Sequence, residues 1–210
     1  MPSEYIPAGV LISSYVFGAL VLGHSLINDF VLLTPLHLLL TAVLLTLTHR
    51  VEPRPRYLAW TVLCFVGGFG VEYLGVSQGW LFGDYRYTDV LGPSIAGVPL
   101  IIGVNWILVV YAVCASINRY LPTLSNFAKV AVAGLALVAL DFLIEPVAID
   151  LEFWIWAKGE PPLQNFIGWF IAGILQAAAF YIIIPKTQNR LAPILLLLQV
   201  AFFLYLKFAL

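Results

Sequence analysis

Two carboxylates four residues apart, Asp141 and Glu145, stand inside an otherwise apolar stretch running from Asn126 to Ile149. On a helix, that spacing stacks both acids on one face. A third acid, Glu72, lies near the end of another apolar stretch, Tyr57 to Leu74. Placing a charged side chain at the centre of a membrane helix costs at least ~2.5–3.5 kcal/mol, so acids in such stretches mark function by default. The chemistry open to them is proton transfer. A carboxylic acid in hydrocarbon surroundings holds its proton at neutral pH, and a second carboxylate beside it can accept one. Pro146 follows Glu145 directly, removes a backbone donor and predicts a kink there.

The elements that must position these acids are helices. The chain has 210 residues, of which 62% are hydrophobic and only 10% charged, too few charges to cover a soluble domain. Apolar stretches near the ~20-residue spanning length recur throughout: Pro7 to Ile27, Phe30 to Thr48, Tyr57 to Leu74, Val98 to Ile117, Asn126 to Ile149, Leu163 to Ile184 and Leu191 to Leu210. We therefore expect an all-α polytopic membrane protein, a bundle of about seven transmembrane helices, with residues 1–210 as a single integral membrane domain. The short turn Asn28-Asp29 makes the first two spans antiparallel neighbours. No internal repeat is visible. The start, Met1-Pro2-Ser3-Glu4, lacks a positively charged region, so no cleavable signal peptide is expected. A net charge of −1 without a basic patch gives no reason to expect nucleic acid as a partner. Cys64 and Cys114 sit in apolar runs and read as buried free thiols.

Arg50, Arg54, Arg56, Arg119, Lys129, Lys186 and Arg190 fall in loops on one face, against Arg86, Lys158 and Lys207 on the other. The positive-inside rule then puts the N-terminus in the cytoplasm and the C-terminus outside, in the cell's inner (plasma) membrane. That orientation gathers Glu72, Asp141, Glu145, His24, His37, Asn105 and Asn165 in the same outer half of the bilayer. This convergence is the strongest functional signal among the residues themselves. Each also has a plain structural role open to it. Glu72 and Glu145 can reach the interface, His24 and His37 can be core histidines bonded to carbonyls, and Asn105 and Asn165 can tie helices together. Trp80, Trp154, Trp156 and Trp169 fit an interfacial belt, whereas Trp106 falls deeper. The glycine- and aromatic-rich loop after span three, Gly75 to Thr88, is long for a helix connection and suits a cap over a cavity, together with Trp154 to Asn165.

These same segments resemble the membrane-bound carotenoid hydratases, which add water to the acyclic end of carotenoids. The matching stretches are Glu72-Tyr-Leu-Gly-Val through Gly79, Phe82-Gly-Asp-Tyr85-Arg-Tyr87-Thr88 with Leu91-Gly-Pro93 and Val98-Pro99, Asp141-Phe-Leu-Ile-Glu145-Pro146-Val147, the pair Trp154 and Trp156, and Pro162-Leu-Gln-Asn165-Phe-Ile-Gly-Trp169. The family pattern favours aspartate where this chain has Glu145, and the loop before Pro162 is shortened. The resemblance implies hydration of the C1=C2 bond of a ψ end group, without a redox cofactor. A protonated acid gives its proton to C2, water captures the tertiary cation at C1, and a carboxylate takes the water's proton. Asp141, the deepest, is the expected acid, with Glu72 or Glu145 as base. His24, His37, Asn105, Asn165, Tyr85, Tyr87, Trp106, Trp154 and Trp169 are expected to hold substrate or water. The expected partners are a carotenoid from the bilayer, water and other carotenoid-pathway enzymes.

Two other readings remain open on the residues. A carotenoid end-group cyclase would make the same cation and let the chain's own double bond capture it. A proton-coupled transporter also uses paired acids in spans, although such proteins often carry inverted repeats. A retinal-binding bundle would need a lysine at mid-span, and Lys207 lies too near the end. The three histidines lack the spacing of a multi-histidine di-metal site.

Overall fold

A computed structural model describes residues 5–49, 53–187 and 189–210. The readings drawn from Met1 to Glu4 and from Arg50 lie outside them. Seven helices follow one another: α1 (Tyr5–Gly23), α2 (Thr34–Thr48, entered through a 3-10 turn, Phe30–Leu33), α3 (Arg54–Gln78), α4 (Leu100–Tyr120), α5 (Asn126–Asp150), α6 (Leu163–Ile183) and α7 (Leu191–Ala209). All seven are long and apolar enough to cross a membrane. The bundle is the all-α polytopic membrane fold that hydropathy leads one to expect.

Local chemistry sets the helix ends. Proline opens the first turn of α2 and α3, where its missing N–H is no loss. The Ser125 hydroxyl caps α5 by accepting from the Ala128 amide. Gly79 ends α3 in a left-handed conformation, with φ at 65°. α5 continues through Pro146 to Asp150 as one helix. The main departure from expectation is at α1, which stops at Gly23 instead of reaching Ile27. Ser25 and Asp29 then turn the chain with positive φ. His24 is therefore a link residue and lies outside the span.

α4 is the central helix. Fifteen of its residues are buried, and it packs against α2, α3, α5, α6 and α7. A helix apolar on every side is one surrounded by its neighbours. The bundle has chemically distinct ends. Arg54, Arg56, Arg119, Lys129, Lys186 and Arg190 lie at or near one set of helix ends, and Glu72, Asp141 and Glu145 lie toward the other.

Near the basic end, the buried Tyr111 hydroxyl meets His49 Nδ1 at 2.6 Å and accepts from Asn189 Nδ2 at 3.2 Å. Asn189 Nδ2 also lies 3.2 Å from the Leu45 carbonyl, joining α2 to the α6–α7 link. Stranding these groups should be expensive. We expect Tyr111→Phe to destabilise the protein by ~1–3 kcal/mol. Tyr205→Phe, at a surface hydroxyl, should stay within ~0.5 kcal/mol. Thermal unfolding of the two variants in detergent checks the contrast.

Candidate active site

Glu72 is presented by α3 between Gly68, four residues before it, and Gly75, three residues after it, so all three share one helix face. Both glycines are spatially required. A Cβ on Gly68 would stand 2.4 Å from the Trp106 ring, and one on Gly75 would stand 2.8 Å from the Tyr85 hydroxyl. The gaps let Trp106 of α4 and Tyr85 of the following loop come down onto the carboxylate. Trp106 Nε1 donates to Glu72 Oε1 at 3.0 Å, while the Tyr85 and Tyr87 hydroxyls donate to Oε2 at 2.5 and 2.8 Å.

The tyrosines arrive on a strand. β1 (Tyr85–Tyr87) pairs antiparallel with β4 (Trp154–Trp156), with Tyr85 opposite Trp156 and Tyr87 opposite Trp154. Alternation along a strand sends Tyr85 and Tyr87, Trp154 and Trp156 to one face, and Arg86 and Ile155 to the other. The aromatic face covers the acids. Trp156 Nε1 and Trp154 Nε1 donate to Glu145 Oε2 at 2.8 and 3.1 Å. A second hairpin, β2 (Ser94–Ile95) with β3 (Val98–Pro99), turns through Ala96 and Gly97, both at positive φ, and leads into α4. The sequence reading anticipated a cap from these segments but no strands. The signal was present in Tyr-Arg-Tyr and Trp-Ile-Trp, whose alternation has the period of a strand.

Asn165, near the start of α6, links the other two acids. Its Nδ2 donates to Asp141 Oδ2 at 2.7 Å and to Glu145 Oε1 at 3.3 Å, as expected of carboxylates stacked one turn apart on α5. Asp141 is wholly buried, and its Oδ1 has no hydrogen-bond partner in the protein. Each glutamate thus accepts three hydrogen bonds, whereas Asp141 accepts one and has an oxygen to spare. Burial and the adjacent Glu72 carboxylate push the phenols of Tyr85 and Tyr87 well above their ordinary range, so both remain neutral donors.

The three acids, Asn165, Tyr85, Tyr87, Trp154, Trp156, Phe82 and Trp169 line a cavity of about 20 Å³, with no histidine, lysine or arginine among them. One water needs roughly 10–15 Å³ of such space, so the cavity is water-sized. Trp106 stacks on Trp169, with ring centroids 4.5 Å apart.

Three expected participants are elsewhere. His37 and Asn105 line a separate, mostly apolar cavity of about 360 Å³ that shares no lining residue with the carboxylate site. Asn105 is one residue from Trp106, and a step of one residue turns it to another face of α4. His24 lies beyond α1, with its Nε2 3.1 Å from the Tyr205 hydroxyl. Trp156 and the glycines at 68 and 75 belong to the site and were not among the residues singled out for it from sequence.

A family model described as carotenoid biosynthesis protein matches residues 30–210. The chain belongs to that family. It is also 30% identical, over 123 residues, to a bisanhydrobacterioruberin hydratase of Haloarcula japonica; the match covers 53% of this chain and 40% of that relative. No solved structure matches the chain. Every residue of the carboxylate cluster lies within the region matched by the carotenoid biosynthesis family, whereas His24 precedes it.

The close approach at Gly75 yields a direct test. Gly75→Ala should push Tyr85 and Phe82 off α3 and cost ~1–3 kcal/mol. Gly70→Ala on the same helix meets nothing within 4 Å and should be neutral or slightly stabilising. Thermal unfolding of both variants, with pigment conversion measured alongside, separates a specific slot from a general intolerance of α3 to alanine.

Proposed function

We propose that this chain is a carotenoid hydratase that adds water across the C1=C2 bond of an acyclic end group. The observation that carries this reading is the water-sized space walled by three carboxylates, one of which, Asp141, keeps an oxygen without a partner. Three carboxylates in low dielectric with no cation beside them do not all ionise, so the cluster retains a proton. Asp141, bonded once, is the member best placed to hold it. Glu72 and Glu145, each bonded by three donors, are suited to remain anions.

The reaction balances within this set. The Asp141 proton goes to C2, the π pair forms the new C–H bond, and C1 becomes a tertiary cation. Water in the small cavity adds its oxygen to C1. Its released proton passes to Glu145 or Glu72 and returns to Asp141 through the cluster, so no other reactant is consumed. Trp169 and the tyrosine pair, which line the space, put aromatic rings beside the developing positive charge. Glu145, one methylene longer than the family's aspartate, reaches back to the indoles of β4. The end group is larger than the cavity, so it enters from the bilayer by displacing aromatic side chains that wall the space. With the basic end of the bundle on the cytoplasmic side of the inner membrane, the cluster faces the outer half of the bilayer.

A cyclase would use the same acid but must fold the chain end back on itself beside the cation. A space that holds one water favours water as the nucleophile. Expression of the full chain in lycopene-accumulating cells, followed by mass analysis of the pigments, separates the two. A hydratase adds the mass of one water, and in heavy-oxygen water the label enters the product. A cyclase gives an unlabelled isomer. Asp141→Asn should lower product by ~10²-fold or more with insertion and unfolding temperature little changed. Product at the wild-type rate would remove Asp141 from the chemistry.

A further inference from the structure

The larger cavity is built differently from a plain lipid groove. It lies among α1, α2, α4 and α7, and is also lined by Leu151 and Phe153. Its volume, about 360 Å³, is in the ~300–1,000 Å³ range of ligand pockets. Phe17 and Leu36 line it and are themselves on the surface of the bundle, so it reaches the lipid-facing side. Most of the wall is aromatic or leucine. Into this wall the fold sets polar side chains: Ser14 and His37, which face each other at 3.1 Å, with Thr34, Asn105 and Gln199.

Asn105 is the informative one. It lines the cavity, is only partly buried, and its side-chain amide makes no hydrogen bond to the described residues. An unpaired amide oxygen in apolar surroundings is costly. A purely hydrocarbon occupant would leave that cost in place, whereas a hydroxyl would remove it by donating to the oxygen. The apolar wall demands a hydrocarbon body, and Asn105 demands a donor on it.

We infer that this cavity is a second binding site, for the end of an isoprenoid chain that carries a hydroxyl group. The identification rests on the hydratase reading, under which such an end is the product. The two cavities are back to back in the chain: Phe153 lines one and Trp154 the other, and Asn105 lines one while the adjacent Trp106 bonds a carboxylate of the other. A hydrated end leaving the acids has a polar-lined apolar berth beside it. The unreacted end, having no donor, has less to gain there.

Dihydromyrcene and dihydromyrcenol differ by one water across a trisubstituted double bond and serve as probes. Calorimetric titration of the detergent-solubilised full chain should show dihydromyrcenol binding about tenfold tighter than dihydromyrcene. Asn105→Leu, close in size and apolar, should bring the ratio near one, and Gln199→Leu provides a second variant at the same wall. Asp141→Asn should keep the wild-type preference. Equal binding of both probes by the wild type, or a preference that survives in both Gln199→Leu and Asn105→Leu, would overturn the assignment even if carotenoids are hydrated. A preference lost in Asn105→Leu from a chain that hydrates no carotenoid would support the site as one for an isoprenoid alcohol and leave the hydratase reading as the part that failed.

Discussion

A carboxylate buried in a helical bundle must be given hydrogen-bond donors, and this protein gives its three acids only neutral ones. Indole N–H groups, phenol O–H groups and one side-chain amide surround Glu72, Glu145 and Asp141, and the lining of their cavity holds no cation. The choice has a chemical consequence. Lysine or arginine would hold every acid as an anion in a salt bridge. Neutral donors stabilise an anion less, so the cluster can exchange one proton among its members. The surrounding architecture follows from delivering those donors. α4 brings Trp106, α6 brings Asn165, and a two-stranded ribbon, which is rare in an all-helical membrane fold, brings two tyrosines and two tryptophans from segments about 70 positions apart in the chain. Gly68 and Gly75 of α3 let two of these side chains approach.

Much of this was legible in the sequence because it is local. Span length follows from hydropathy, and the partnership of Asp141 with Glu145 follows from helical spacing. The depth of Glu72 and Asn165 follows from counting residues to span ends. What failed was rotation. α1, α2 and α4 are apolar nearly all round, so no polar stripe declares which side faces the interior. His37 and Asn105 were therefore placed at the right depth but with the acids, when each turns to the neighbouring cavity. His24 failed for another reason: a hydropathy window cannot see that Gly23 and Ser25 end the helix. The β1–β4 ribbon was missed because three-residue strands, 66 positions apart from Tyr87's neighbour Thr88 to Trp154, carry too little periodicity to outweigh the expectation of loops.

Under the proposed hydration, the size of the acid cavity bears on which product forms. A tertiary cation in a hydrocarbon site is captured by whatever nucleophile is nearest, so an enzyme that begins by protonating an alkene selects its product through the space it leaves. Here the space between the acids admits a molecule the size of water, and its walls include the rings of Trp154, Trp156 and Trp169, with Phe82 pressed against α6 at Gly168. A linear end group must already displace part of this wall, and a chain end folded back to offer its own double bond would have to displace more of it. Water needs no further room. The aromatic enclosure supplies the donors that let acids exist at membrane depth, and under the proposed hydration it would also restrict the cation to one partner. On this argument, enlarging the enclosure at Phe82 or Trp169 is the route by which a hydratase of this architecture would begin to release cyclic or eliminated products, because the acid would be retained while the restriction on the nucleophile was lost.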